Sequence, residues 1–191
     1  MKLLEEKILN EGQIEGNDIL KVDMFLNHQV DIEFLNEIGK EFKRLFSDKE
    51  ITKIVTIETS GIAIACITAQ YFNVPLVYAK KGRTRTTNDE LYVSSVYSFT
   101  HLKTYNIGIS KKALSSQDKI LIIDDFLANG HAVSGLLDIS NQAGAKIMGV
   151  GIVIEKAFQD GGERLRKKGL DIQSLAVLKS ISDGKITFAD D

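Results

Sequence analysis

The sequence predicts an α/β fold, a mainly parallel sheet flanked by helices. Three observations carry that expectation. Short runs dense in β-branched and aliphatic residues recur at Lys53–Ile57, Val74–Ala79, Lys119–Ile123 and Ile147–Ile154. Runs of this kind, apolar at consecutive positions, suit strands buried on both faces. Stretches of helical length, Gly61–Phe72 and Ala132–Gln142, follow the first and third of them. The 191 residues hold one proline, no Pro/Ser-rich linker and no internal repeat, so a single unit over residues 1–191 is expected.

Met1–Leu9 reads as a short amphipathic helix, broken by Gly12 and Gly16. Ile19–Val30 fits neither the helical nor the strand period and reads as irregular, with room for one short strand. Asp31 can cap a helix to about Phe46, because Ile32, Leu35, Ile38, Phe42 and Leu45 recur at three- and four-residue steps. Lys53–Ile57 is a strand, Gly61–Phe72 a helix against the sheet, and Val74–Ala79 a strand with Pro75 near its start. Lys80–Leu91 is polar and aperiodic, hence a long loop. Tyr92–Phe99 and Tyr105–Ile109 alternate like a strand pair and read as an excursion between the parallel strands. Lys119–Ile123 is a buried strand ending in Asp124 and Asp125, and Ala132–Gln142 a helix closed by Gly144. Ile147–Ile154 is again a strand, Glu163–Lys168 a short helix, and Ile172–Leu178 and Lys185–Phe188 late strands joined by a turn at Asp183-Gly184. A small lobe built from the N-terminal segment 1–30, with a contribution from the C-terminal segment 152–191, is expected beside the sheet.

Charge and composition narrow the function. Twenty-four basic against 26 acidic residues give a net charge of −2, which argues against a general nucleic-acid coat. A lone cysteine, Cys66, excludes an intrachain disulfide and a cysteine-rich metal site. Its place in an apolar helix predicts core packing. No apolar run approaches the roughly 20 residues that cross a bilayer. MKLLEEKILNEG carries acid and amide groups in its apolar stretch, unlike a signal peptide, so a cytoplasmic setting is expected. His28, His101 and His131 lie in separate segments without metal-ligand spacing.

The most informative segment is Leu121-Ile122-Ile123-Asp124-Asp125-Phe126-Leu127-Ala128-Asn129-Gly130-His131-Ala132. An apolar strand runs into two adjacent carboxylates, a turn of small residues, and a helix. Ligands bind at the carboxyl ends of strands in open parallel sheets. Paired acids there can hold a diol or Mg²⁺, and N–H groups at a helix start suit a phosphate. Together these describe a ribose 5-phosphate site. In a plainer reading the two acids merely end a strand, one capping the next helix. No Walker lysine follows Gly130 and no G-x-G-x-x-G occurs, which disfavours triphosphate and dinucleotide loops.

This segment resembles the phosphoribosyl-diphosphate (PRPP) motif of the type I phosphoribosyltransferases. The likeness extends over residues 1–190 through Lys21-Val22-Asp23-Met24-Phe25-Leu26-Asn27-His28-Gln29, Lys53–Ala63, Val96-Tyr97-Ser98-Phe99-Thr100 and Gly151-Ile152-Val153-Ile154-Glu155-Lys156. Within the family, the N-terminal run and Glu155-Lys156 resemble the bacterial branch acting on xanthine. The resemblance implies transfer of the 5-phosphoribosyl group from PRPP to xanthine, giving XMP and diphosphate in purine salvage. It implies that Asp124 and Asp125 hold the ribose 2′- and 3′-hydroxyls and shield charge at C1′. Ala128, Asn129, Gly130, His131 and Ala132 would wrap the 5′-phosphate, and Glu58, Thr59, Ser60 and Gly61 would form the diphosphate loop. Lys156 would bond the purine 6-oxo group, with Asn27 near the 2-oxo group, Leu20 closing over the base and Phe126 packing beside it. Lys81 would reach the diphosphate from a flexible hood at about residues 80–100, across a dimer interface. The N-terminal segment 1–30 would contribute the base-binding lobe. Mg²⁺ would arrive with PRPP, held by diphosphate and water rather than by an all-protein cage. A homodimer is implied, with no membrane or nucleic-acid partner.

The chain departs from the family pattern in the phosphate loop. Many members carry a threonine-glycine pair followed by threonine or serine, and animal oxopurine enzymes place an aspartate where Ala128 stands. Asn129 and His131 can supply donors in place of the missing hydroxyls, and base activation by a carboxylate there is not expected. Lys80, Arg83 and Arg85, with Thr84, Thr86 and Thr87, read as a solvated surface by composition and as part of the hood by resemblance. Glu155 is expected to orient Lys156, and His28 to be a structural neighbour of Asn27. Tyr92, Tyr97, Phe99 and Tyr105 are expected to pack the sheet. Two alternatives stay open: a guanine- or hypoxanthine-preferring member of the family, and a PRPP-sensing regulator that binds nucleic acid. The N-terminal segment 1–30 is too short and acidic for a winged helix-turn-helix domain, which weighs against the regulator.

Overall fold

Five parallel strands form the centre of an eight-stranded sheet in the computed structural model, which describes residues 1–16, 19–82, 90–98, 103–182 and 184–189. The readings for Arg83, Arg85, Thr84, Thr86, Thr87, Phe99, His101 and Asp183 fall outside these residues. The chain opens with α1 (Lys2–Glu11), an antiparallel ribbon of β1 (Gln13–Glu15) and β2 (Ile19–Lys21), a π-helical turn at Asp23–Asn27, and α2 (Ile32–Leu45). Then come β3 (Lys53–Ile57), α3 (Gly61–Phe72), β4 (Leu76–Lys81), β5 (Leu91–Ser98), β6 (Lys103–Ser110), β7 (Lys119–Leu127), α4 (His131–Gln142), β8 (Lys146–Lys156), α5 (Gly161–Lys167), β9 (Ile172–Ser182) and β10 (Lys185–Phe188).

The spatial order is β10-β9-β8-β7-β3-β4-β6-β5. Strands β9, β8, β7, β3 and β4 run parallel, while β10, β6 and β5 join antiparallel at the two edges. From β3 the chain moves through α3 to β4 on one side. From β7 it moves through α4, β8 and α5 to β9 on the other. The connections therefore diverge between β3 and β7, and this crevice at the strands' carboxyl ends is where such sheets bind ligands.

The period-two alternation of the central strands builds a core on each face. Ile54, Leu121 and Ile123 join one cluster with Phe34, Leu35, Ile38 and Phe42 of α2 and Ile64 of α3. Val55, Ile120 and Ile122 join the other with Val133, Leu136 and Ile139 of α4. The N-terminal segment adds Leu4, Ile8, Leu20, Val22, Phe25 and Leu26 to the first. The Asp31 carboxylate accepts from the Phe34 N–H at 3.0 Å and so caps α2, as its sequence predicts.

Several expectations need correction. The hairpin β5–β6 is an edge extension off β4, because Lys80 and Lys81 pair with Gly108 and Ile107. Strand β7 does not end at Ile123. Pairing with the long β8 carries it through Asp124 and Asp125 to Leu127. The C-terminal part of the chain extends the sheet rather than a separate lobe, since β9 and β10 pair outward from β8. Gln13–Glu15 is a strand the sequence pattern misses, with too few residues to show alternation. Cys66 is exposed, not in the core. The buried stripe of α3 is Gly61, Ile64, Ala65, Thr68, Ala69 and Phe72, and position 66 falls off it. Among the described residues no helix is long and apolar enough to cross a membrane.

Candidate active site

The crevice between β3 and β7 holds a cavity of about 190 Å³ lined by Ile57, Glu58, Thr59, Ser60, Gly61, Lys81, Tyr105, Asp124, Asp125, Phe126 and Ala132. Beside it a second cavity, of about 210 Å³, is lined by Val96, Tyr97 and Leu127–Val133 and shares Tyr105, Phe126 and Ala132 with the first. The first is bounded by the loop after β3 and the carboxylates of β7. The second is bounded by the loop that enters α4. An elongated ligand with a polar group at each end can therefore lie across the two.

Asp124 is buried and its carboxylate accepts the Asp125 N–H at 3.1 Å, while Asp125 accepts the Phe126 N–H at 2.9 Å. Burial, then the negative charge of Asp125, pushes the Asp124 carboxyl well above the usual range, and the Lys81 ammonium only partly opposes this. Burial also raises Asp125, against the pull of the Phe126 N–H and the Asp124 side chain. Two acids side by side, one buried and one half-buried, are chemically suited to hydroxyl donors or a cation. Gly61 is fixed by space. A Cβ there would lie 2.2 Å from Thr56 Oγ1 and 2.9 Å from Asp124 Oδ1. The Thr56 hydroxyl is itself buried and has no hydrogen-bond partner among the described residues. Glu58 accepts the Lys81 N–H, which ties the β3 loop to the end of β4. Lys81 Nζ stands 5.3 Å from the Tyr105 ring centre, a cation over an aromatic face.

Gly130 starts α4 with φ +71°, a left-handed conformation that glycine adopts without penalty. Neither the Asn129 nor the Gly130 N–H donates to a backbone carbonyl among the described residues. With the first turn of α4 behind them, they lie in the kind of geometry that suits an anion. The ring of His131 meets Tyr97 edge-on at 6.0 Å.

Residues 27–179 match the family model for the phosphoribosyl transferase domain. The chain belongs to the phosphoribosyltransferase family. Curated family members align over nearly its whole length. It is 57% identical over 190 residues to a xanthine phosphoribosyltransferase of Ruminiclostridium cellulolyticum, covering 100% of both chains. It is 56% identical over 188 residues to that of Clostridium novyi, covering 98% of this chain and 99% of the relative. Among solved structures, the adenine phosphoribosyltransferase of Trypanosoma brucei, in complex with AMP, pyrophosphate and ribose-5-phosphate, superposes with TM-score 0.78. Its identity is 17%, over 94% of this chain and 81% of that one. The Rhodothermus marinus adenine enzyme gives TM-score 0.76 at 21% identity, over 93% of this chain and 100% of that one. At such identities these two establish the fold alone, the type I phosphoribosyltransferase fold.

The structure gathers most of the residues that the family resemblance singled out. Glu58–Gly61, Lys81, Asp124, Asp125, Phe126 and Ala132 border the first cavity, and Ala128–Ala132 the second. Lys156, at the end of β8, holds its Nζ 5.8 Å from the Phe126 ring centre. Leu20 and Asn27 line neither cavity. Leu20 is buried in the first core cluster, and Asn27 ends the π-helical turn with a buried Oδ1 that has no hydrogen-bond partner among the described residues. His28 beside it is exposed.

Glu155 does not orient Lys156. Alternation along β8 sends the two side chains to opposite faces, and Glu155 instead takes Arg166 at 2.6 and 2.7 Å and the Ser174 hydroxyl. Tyr105 is more than sheet packing, since it borders both cavities. Its alternation with Ile107 and Ile109 was a readable sign of an inward face. Thr56, against Gly61, and Arg164, on the Asn129 carbonyl, are contacts of the site that the sequence reading does not name. The Gly161-Gly162 pair, which lets α5 approach closely, was the available signal.

Proposed function

We propose that this protein transfers the 5-phosphoribosyl group of PRPP to xanthine, yielding XMP and diphosphate. The carrying observation is the β3–β7 crevice, where two adjacent carboxylates, Asp124 buried and Asp125 half-buried, lie between one loop suited to a diphosphate and another suited to a phosphate. Near-full-length likeness to xanthine phosphoribosyltransferases supports xanthine as the base.

In this reading the N–H groups of Asn129, Gly130, His131 and Ala132 hold the 5′-phosphate, and the Glu58–Gly61 loop with Lys81 holds the diphosphate. Asp124 and Asp125 accept the 2′- and 3′-hydroxyls. The C1′–O bond to diphosphate breaks, the electron pair leaves with that oxygen, and the purine N9 lone pair forms the new C1′–N bond. Positive charge that grows on the ribose faces two carboxylates already in place, which favours the transition state over the ground state. Binding of a diol and a nearby cation also favours ionised acids over the protonated form that burial promotes. Lys156 donates to the 6-oxo group, Asn27 turns its amide to the 2-oxo group, and Phe126 and Leu20 pack the base. Xanthine is acidic enough for its ring proton to pass to water, so no protein base is assigned.

Magnesium fits this donor set as a ligand of the substrate. Among the described residues no group of three or more His, Cys, Asp or Glu side chains could hold a metal, yet Asp124 and Asp125 offer hard oxygens beside the diphosphate loop. Bound to diphosphate, Mg²⁺ would neutralise charge on the leaving group. A cytoplasmic homodimer, with the hood of one subunit reaching its partner's site, completes the proposal.

The test measures XMP and diphosphate formation from PRPP, Mg²⁺ and xanthine, with guanine and hypoxanthine in parallel. Selective turnover of xanthine is expected. Faster use of guanine would sink the xanthine assignment, and no turnover of any purine by folded protein would sink the activity.

A further inference from the structure

We infer that Arg164 is a positioning residue for the phosphate-binding loop, acting from outside the cavity through the Asn129 carbonyl. The inference rests on the reading of residues 128–132 as the 5′-phosphate cradle. Arg164 Nη2 donates to the Asn129 carbonyl oxygen, and Nη1 pairs with Asp160 at 3.2 Å. In a trans peptide the carbonyl and the following N–H point in opposite directions. An Asn129 carbonyl held outward by a guanidinium therefore directs the Gly130 N–H inward.

The rest of α5 braces the same turn. A Cβ on Gly161 would stand 2.2 Å from the Ala128 carbonyl oxygen and 2.6 Å from Gly130 N, so the helix start lies directly on the loop backbone. The Ala128 carbonyl thus also faces α5, and its partner in that peptide, the Asn129 N–H, faces away. Leu165, fully buried, closes over Gly130 from the same helix. The helix is held in turn by the Arg166–Glu155 pair, and Gly162 leaves the room for it. A Cβ there would sit 1.9 Å from Glu155 Oε1. Two successive peptides with carbonyls toward α5 and N–H groups toward the cavity make a preformed anion cradle, which avoids reorganisation when phosphate arrives. Arg164 also places its positive charge behind the peptide dipole, where it strengthens the N–H as a donor.

The test compares wild type, Arg164→Met and Arg164→Lys by calorimetric titration with ribose 5-phosphate and, separately, with magnesium diphosphate. Loss of one charge-assisted hydrogen bond should weaken ribose 5-phosphate binding by about tenfold in Arg164→Met. Diphosphate, bound by the β3 loop, should bind as in wild type. Arg164→Lys should regain most of the loss, and in turnover KM for PRPP should rise while kcat holds. Equal ribose 5-phosphate affinity in wild type and Arg164→Met would overturn the inference, as would an equal fall for diphosphate, which signals general distortion. Wild type that binds ribose 5-phosphate but does not convert xanthine would refute the proposed activity and leave the Arg164 comparison intact. Wild type that binds no ribose 5-phosphate would overturn the inference along with the cradle.

Discussion

Replacing Arg166 by methionine would strand the Glu155 carboxylate. That side chain is 4% exposed and accepts both guanidinium N–H groups as well as the Ser174 hydroxyl. Burial alone would push the Glu155 carboxyl up, but Arg166 and Ser174 outweigh it and hold the group below the usual range. Removing one partner of a fully buried pair costs about 3–5 kcal/mol. Arg166 is 41% exposed, so water can re-solvate part of the site, which reduces the expected loss to about 2 kcal/mol. In a chain of 191 residues this corresponds to about 4–8 °C in Tm. The pH dependence gives a sharper check. A carboxyl depressed in the folded state contributes stability above its unfolded pKa and loses it as pH falls through the folded value. In Arg166→Met only the Ser174 hydroxyl still opposes burial, the carboxyl rises, and it protonates earlier as pH falls. The gap between wild type and variant should therefore be wide at neutral pH and narrow as pH falls toward about 4. It should close only below the usual carboxylate range, where wild-type Glu155 is itself protonated. Urea unfolding at both pH values measures it, with Glu155→Gln/Arg166→Met expected to recover much of the loss. A gap below about 0.5 kcal/mol at neutral pH, or one unchanged on acidification, would refute the account of this pair.

Asp125→Asn should leave the fold intact and lower kcat by about a hundredfold, the scale of one lost electrostatic contact to a developing charge. Steady-state turnover checks this, and wild-type kcat would contradict the role. The apoprotein should lose stability as pH rises above about 4, because a raised folded-state pKa favours the protonated form. Asp124→Asn should flatten that dependence in thermal melts from acid to neutral pH. Gly61→Ala should destabilise by about 1–3 kcal/mol through overpacking and weaken PRPP binding as Asp124 is displaced, both readable by melting and titration. Lys156→Ala should raise KM for xanthine more than for PRPP, and an unchanged preference among xanthine, guanine and hypoxanthine would count against its contact with the base.

The central sheet was legible because its signals are local. Val55, Ile120 and Ile122 need only be apolar in sequence to read as strand, and Asp31 needs only its own side chain to cap α2. The acidic pair and the turn that follows were equally readable, since strand, acids, glycine and helix are consecutive. What escaped depends on partners distant along the chain. Nothing near Glu155 in sequence says that it will meet Ser174 rather than steady Lys156. The strand runs past Ile123 because β8 extends far enough to pair with Asp124, Phe126 and Leu127. Cys66 belongs to a helix apolar at nearly every position, where the buried face is chosen by what packs against it. Leu20 and Asn27 were singled out by family resemblance and not by a local pattern, and neither lines the two cavities.

The divergence of the connections at β3 and β7 also divides the labour for anyone who would redesign this protein. The groups proposed to grip PRPP sit on two adjacent central strands and the loops that leave them, joined by Lys81 from the end of β4. The polar groups proposed to read the base, Asn27 and Lys156, arrive from elsewhere, from the N-terminal turn and the far end of β8. A library varied at Asn27 and Lys156 would therefore leave untouched the carboxylate pair, the diphosphate loop and the helix that braces the phosphate turn. New bases can be selected on a sugar-phosphate platform that does not have to be rebuilt for each one.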